Sequence, residues 1–113
     1  MLNMNFAERV VIDTQSMPWI ASPAQGVWRK PLEREEAESG HTTSIVRYEA
    51  GSQFKTHPHP MGEEIFVLSG EFKDEFGEYP TYTWLRSPHM SEHFPFVDEE
   101  TVIWVKTGHL PAS

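Results

Sequence analysis

Four side chains in this sequence carry donor atoms that first-row transition metals favour: His57, His59, Glu63 and His93. Three of them fall in one run, GSQFKTHPHPMGEEIFVLSG, residues 51–70. His57, His59 and Glu63 share odd parity, and on an extended chain residues two apart point to the same face. Two imidazoles and a carboxylate can then converge from one side of a sheet. Pro58 and Pro60 interrupt regular pairing and place the histidines at a strand end or bulge. His93 closes a second punctuated run, PHMSEH, residues 88–93. A lone HxH is more often incidental than ligating. Here a glutamate follows at a fixed offset, glycines flank the run and a further histidine lies on another strand. The set suits one divalent ion, with Zn, Fe, Ni, Cu and Mn all compatible with imidazole and a single carboxylate. There is no cysteine, so thiolate zinc sites, iron–sulfur clusters, disulfides and cysteine nucleophiles are excluded. Any metal must be held by nitrogen and oxygen.

The elements that must position these residues read as strands. Pro, Gly, Asp and Asn recur every 8–15 residues, with β-branched and aromatic runs between them. Strands are expected at Val10–Ile12, Val27–Glu33, Thr42–Glu49, Glu63–Leu68, Glu71–Glu75, Tyr82–Arg86, Glu92–Phe96 and Thr101–Lys106. Pro31 marks an edge or irregularity in the second of them. Residues 31–39, PLEREEAES, have helical composition but no apolar stripe, so no helix is assigned. The acidic cluster Glu33, Glu35, Glu36 and Glu38 reads as a solvated strand end or loop. The expected fold is all-β.

Size and charge narrow the function. At 113 residues and 13.0 kDa the chain is one domain, residues 1–113. A chain of this size buries roughly two-thirds of its unfolded surface, enough for one proper core. Nine basic residues face seventeen acidic ones, a net charge of −8. Nucleic-acid backbone binding and adhesion to anionic membranes both need a basic face, so neither is expected. No apolar run approaches the length of a bilayer span, and no signal peptide is readable at the N-terminus. A cytoplasmic protein is expected.

The sequence resembles the cupin superfamily. Gly51, His57, His59, Glu63 and Gly70 match every position of its first motif. Pro88 and His93 match the second, in which Tyr82, Met90 and Val97 stand where that motif has glycine, glycine and asparagine. The second motif is therefore degenerate, which weakens the expected loop geometry more than the ligand assignment. Trp19 and the stretches GVWRKPL, TSIVRYEAGSQF and GEEIFVLSGEFKDEFGEYPTYTWLRSP are similar to the cupin domain of ChrR-type anti-sigma factors, and the same domain type resembles acetylacetone-cleaving dioxygenases. The resemblance covers about residues 17–107. It implies a single-domain cupin of the RmlC-like kind, a small double-stranded β-helix or jelly-roll barrel over about residues 19–107, with an N-terminal arm over about 1–18. It also implies one divalent metal (Zn, Fe, Ni or Mn, with Zn or Fe favoured) on His57, His59, Glu63 and His93.

Two functions follow from the resemblance. One is a metal-dependent, dioxygenase-like enzyme acting on a small oxygen-donor substrate such as a diketone. The alternative is a non-catalytic module that senses a ligand through its metal. A metal-free scaffold is a third reading, and the intact ligand set argues against it. ChrR-type factors carry a zinc-binding helical domain ahead of the cupin, and residues 1–16 resemble no such domain. Sigma-factor binding is therefore not expected, while a homodimer is. Catalytic residues are not assigned. Among the remaining candidates, Glu64 points outward by parity. His89 lies in the second-motif loop, within reach of a cavity mouth, with no functional role assigned, and His41 and His109 are expected to be solvated. Tyr82, Trp84 and Arg86 alternate with Thr83, Leu85 and Ser87, and periodicity does not say which set faces inward; an outer-face position is favoured for Arg86 over a carboxylate-binding one in the cavity, and Arg47 has the same ambiguity. Phe54, Ile65, Val67 and Phe94 line the core, making the pocket around the ion apolar.

Overall fold

The computed structural model describes residues 1–36, 39–54 and 57–112, with Ser39 and His57 described as backbone only. Among these described residues, ten strands follow a single 3-10 turn at Thr14–Ser16: β1 (Ile20–Ala21), β2 (Val27–Glu36), β3 (Ser39–Tyr48), β4 (His57–Pro58), β5 (Glu63–Ser69), β6 (Glu71–Asp74), β7 (Gly77–Pro80), β8 (Trp84–Ser87), β9 (Glu92–His93) and β10 (Thr101–Thr107). Six of them form one sheet in the order β1-β2-β3-β10-β5-β8. Two short antiparallel ladders, β4 with β9 and β6 with β7, complete the architecture. Phe96 bridges to both Gln53 and Lys73, tying these ladders together.

Alternation decides which face is buried. In β5, Glu63, Ile65 and Val67 are buried while Glu64 and Phe66 are not. In β6, Phe72 and Asp74 take the inward positions. The core joins the large sheet to the ladders: Val27, Val46, Tyr48, Ile65, Val67, Phe72, Val97, Ile103 and Val105 are all buried, with Phe54 packed against them. Tyr48 meets Phe54 edge-on at 5.4 Å between ring centroids and Phe72 at 5.8 Å. Gly70 is needed where it stands: φ is +78°, and a Cβ would lie 2.4 Å from the carbonyl oxygen of Glu100.

Several elements differ from the sequence-based expectation. Residues 10–12 form no strand; Val10 and Val11 are largely exposed, and no backbone ladder pairs with them among the described residues. The arm is held instead by the Lys30 ammonium donating to the Thr14 carbonyl at 2.7 Å and by Asn3 donating to Leu32 at 2.6 Å. Strand β7 goes unrecognised in the sequence because its own ends, Gly77 and Pro80, read as punctuation. β9 stops at His93, since Pro95 has no N–H for a ladder. β2 bulges between Pro31 and Glu33, the irregularity Pro31 announces.

The acidic cluster is not simply solvated; Glu38, its last member, lies outside the described residues. Glu33 accepts from Thr43 at 2.6 Å, from Lys106 at 2.7 Å and from the His41 ring at 2.9 Å. Burial works against its charge, but these donors outweigh it and hold the pKa down at about 2, against an ordinary 4.5. A folded pKa below the unfolded one means stability that is complete above about pH 4.5 and lost by about pH 2. Glu33→Gln is expected to cost about 1–2 kcal/mol at pH 7, allowing for solvent screening. The gap between variant and wild type should narrow as pH falls through that window. Thermal melts at stepped pH check it, and a gap independent of pH would show that the carboxylate charge contributes nothing.

Candidate metal centre

The backbone brings the two histidine-bearing runs together. His57 pairs with His93 and Pro58 with Glu92 in the β4–β9 ladder. The His59 N–H donates to the Ser91 carbonyl at 3.1 Å, while the His59 carbonyl accepts from Gly62 and Met90, both at 2.9 Å. These bonds fix the start of a tight turn through Met61 (φ 60°) and Gly62 (φ +76°). His59 and Glu63 therefore meet across a turn, not along one extended strand as parity suggests. Tyr82 and Met90, which stand where the second motif has glycine, adopt φ 75° and 63°. The left-handed loop geometry survives the loss of both glycines, at the steric cost that a Cβ imposes there.

Donor atoms of His59, Glu63 and His93 lie within 4.8 Å of one another, and all three residues are buried. His93 Nε2 is 3.1 Å from Glu63 Oε1, and His59 Nδ1 is 3.7 Å from Glu63 Oε2. Ligands about 2.0–2.1 Å from a tetrahedral ion stand roughly 3.3 Å apart, so these separations suit a single small divalent ion. The donor set, two imidazoles and a carboxylate, fits such an ion chemically as well. His57, expected as a further ligand, has its side chain outside the described residues.

Asp74 completes the cluster and was not singled out in the sequence. Its Oδ2 faces His93 Nδ1 at 3.1 Å, while its Oδ1 accepts from the Phe76 N–H at 2.9 Å and the Tyr79 hydroxyl at 2.8 Å. His93 is thus held between two carboxylates. Burial lowers its pKa, but Glu63 and Asp74 more than offset that, and the net shift is upward. With Asp74 placed to accept the Nδ1 proton, Nε2 is the nitrogen that would give its lone pair to an ion beside Glu63. The signal for Asp74 was its parity with Phe72 in β6.

His59 and Glu63 open onto a cavity of about 490 Å³, whose wall includes Arg29, Tyr48, Thr42, Thr107 and Val105. The pocket is more polar than expected. Ile65 and Val67 are core residues, 3% and 0% exposed. Phe94 is only half-buried and meets Phe96 at a tilt of 45°, with 6.4 Å between centroids.

Other candidates lie outside the cluster. Glu64 points outward to Arg86 at 3.0 Å and to the His109 ring. The His109 ring is closest and, with Arg86, outweighs burial to lower the Glu64 pKa. His109 and His41 are thus paired with carboxylates, not solvated, because their strands place them beside Glu64 and Glu33. Arg47 lies outside, with its guanidinium 5.2 Å from the Trp19 ring and 3.8 Å from Glu100. His89 Nδ1 accepts from the Met61 N–H at 2.7 Å, which braces the turn beside the centre.

An all-β sheet-and-ladder fold with histidines and a glutamate gathered between two motif strands defines the cupin class. The chain belongs to the ChrR cupin-like domain family, whose model matches residues 7–111. Solved structures agree on the fold. A chain of the complex between Rhodobacter sphaeroides SigE and the anti-sigma ChrR superposes with a TM-score of 0.71 at 18% identity, over 84% of this chain and 51% of that one. This chain therefore spans about half the length of that relative. An acetylacetone dioxygenase from Acinetobacter johnsonii gives 0.72 at 20% identity, over 88% and 72% of the two chains. KdgF from Halomonas sp. gives 0.68 at 17%, over 89% and 94%. No curated protein matches the chain. Among the described residues no helix is long and apolar enough to cross a membrane.

Proposed function

We propose that this chain is a small metal-dependent enzyme of the dioxygenase-like kind, acting on a small molecule with chelating oxygen donors such as a diketone. The observation that supports it is the buried convergence of His59, Glu63 and His93 beside a cavity large enough for such a molecule. His57 is proposed as the fourth ligand, from its backbone pairing with His93. When bound, a redox-active ion such as iron would supply Lewis acidity and access to O₂ chemistry. The protein's own part is to set the Glu63 carboxylate between two imidazoles, to point the His93 Nδ1 proton at the accepting Asp74 and to bury the site from bulk water. The likeness to the acetylacetone dioxygenase adds weight to this reading. The likeness to the ChrR complex keeps a second one in view, a ligand-sensing module that keeps its metal without turnover. A second copy is the expected partner, in keeping with the exposed Phe6 and Val11 of the arm.

Elemental analysis of the purified protein, followed by O₂ uptake with acetylacetone after loading with iron, nickel or manganese, tests the reading. About one equivalent of metal with O₂ consumption is expected. Metal without uptake under any loading would sink the dioxygenase reading and favour the sensor. Absence of metal binding would sink both.

A further inference from the structure

The cavity beside the metal centre has polar lining beyond the metal-ligating residues. In β2, Arg29 pairs with buried Val46 and shares the inward parity of Val27, so its side chain runs into the cavity and not onto the outer face. Arg47 and Arg86 are each matched by a glutamate on the outside. Arg29 has no carboxylate within ion-pair distance among the described residues, and only the Ser22 hydroxyl approaches its Nε, at 3.4 Å. A half-buried guanidinium without a counter-ion is unusual in a chain with seventeen acidic residues. Glu35, which also lines the cavity, is exposed at its mouth and accepts from the His41 N–H at 3.2 Å.

Tyr48 stands on the same wall. It is 6% exposed, and no hydrogen bond ties down its hydroxyl among the described residues. Burial raises its pKa, the charge of Glu63 adds to the rise and Arg29 opposes it, so the phenol remains an O–H donor. The cavity lining thus combines a cationic and a neutral donor with the metal-ligating acceptors.

Resting on the metal reading above, we infer that the cavity binds small chelating molecules that also carry a carboxylate, with the carboxylate held by Arg29 and the Tyr48 hydroxyl and the chelating oxygens turned toward His59, Glu63 and His93. A guanidinium fork matches a carboxylate in two parallel hydrogen bonds, and a neutral diketone leaves it unsatisfied. The substrate class is then an oxo acid such as a 2,4-dioxo acid, and a neutral diketone is the poorer ligand.

Two probes differing by one group test this. Acetylacetone and 2,4-dioxopentanoate share the diketone, and only the second has a carboxylate. Calorimetric titration into zinc-loaded protein reads binding without turnover. The acid is expected to bind about ten- to hundredfold more tightly than the diketone. Arg29→Met should bring that ratio close to one, by lowering the affinity for the acid more than that for the diketone. Arg29→Lys, which keeps the charge and loses the fork, should give an intermediate ratio, and it serves if the Met variant folds poorly. Tyr48→Phe should lower the ratio several-fold. Equal affinities in the wild type, or a ratio that Arg29→Met leaves unchanged, would overturn the inference while the metal reading stands. If the wild type binds no zinc, that reading fails, and the same pair titrated into metal-free protein still decides whether Arg29 selects the acid.

Discussion

His93→Ala is expected to weaken divalent metal binding more than a hundredfold. A structural zinc site is worth about 10–16 kcal/mol in apparent binding, so one ligand in four contributes roughly 3 kcal/mol if the share is even. The same substitution also removes the ring between Glu63 and Asp74, whose oxygens it holds at 3.1 Å on either side. Two buried carboxylates would then share a site with no donor between them, a loss on the order of 3–5 kcal/mol in the metal-free protein. Glu63→Gln separates the two effects. The amide keeps the volume and a hydrogen bond to His93 Nε2, and gives up the anionic donor. Its metal affinity should fall as steeply as that of His93→Ala, and its melting temperature should fall less. His57→Ala, measured alongside, tests the proposed fourth ligand directly. Competition titration with a chromophoric zinc chelator supplies the affinities. Wild-type affinity in either Glu63→Gln or His93→Ala would remove that residue from the ligand set.

Asp74→Asn is expected to weaken metal binding by about ten- to a hundredfold without touching a ligand. Both donors to Oδ1, the Phe76 N–H and the Tyr79 hydroxyl, need an acceptor there. The asparagine must therefore keep its oxygen at that position and turn its NH₂ toward His93 Nδ1. An N–H facing Nδ1 obliges the imidazole to carry its own proton on Nε2, the atom that faces Glu63 and would hold the metal. Nitrogen-15 NMR of the His93 ring reads that tautomer change independently of any activity. Tyr79→Phe is the control. Burial, and then the bond to Asp74, raise the Tyr79 pKa to about 12, so it acts as a donor throughout the working pH range. Its loss should leave the tautomer alone. An Asp74→Asn protein with wild-type metal affinity and the wild-type tautomer would reduce Asp74 to a structural role.

The residues that form motifs were legible because their chemistry is local. A glycine at a tight approach, HxH before a strand and a glutamate at its start announce themselves at short range, and so did the all-β pattern around them. The convergence of His59 with Glu63 was foreseen, but its cause was not: parity along one strand was expected, and a turn through Met61 and Gly62 does it. Tyr82 and Met90 looked like losses of loop geometry because glycine is the usual sign of a left-handed residue. The backbone bonds from Tyr82 to Val67 and from Met90 to His59 hold those conformations without it. Asp74 and Arg29 were missed for a different reason. Each occupies the inward position of its strand, beside Phe72 and Val27 respectively. That parity was readable, but their partners come from sequence-distant strands. His41 and His109 read as solvated for the same reason, since the carboxylates they meet lie eight and forty-five residues away.

The ladder between β4 and β9 is only two residue pairs long, yet it carries the junction on which the centre depends. So short a ladder has little cooperativity of its own and is a natural place for local opening. A divalent ion held across it would act as a staple between the two motifs, because opening the ladder would separate its ligands. By mass action, free ion at a hundred times its dissociation constant would add about 2.7 kcal/mol to the closed state. The rigidity of this corner, and access to the cavity behind it, would then follow the free metal concentration around the protein.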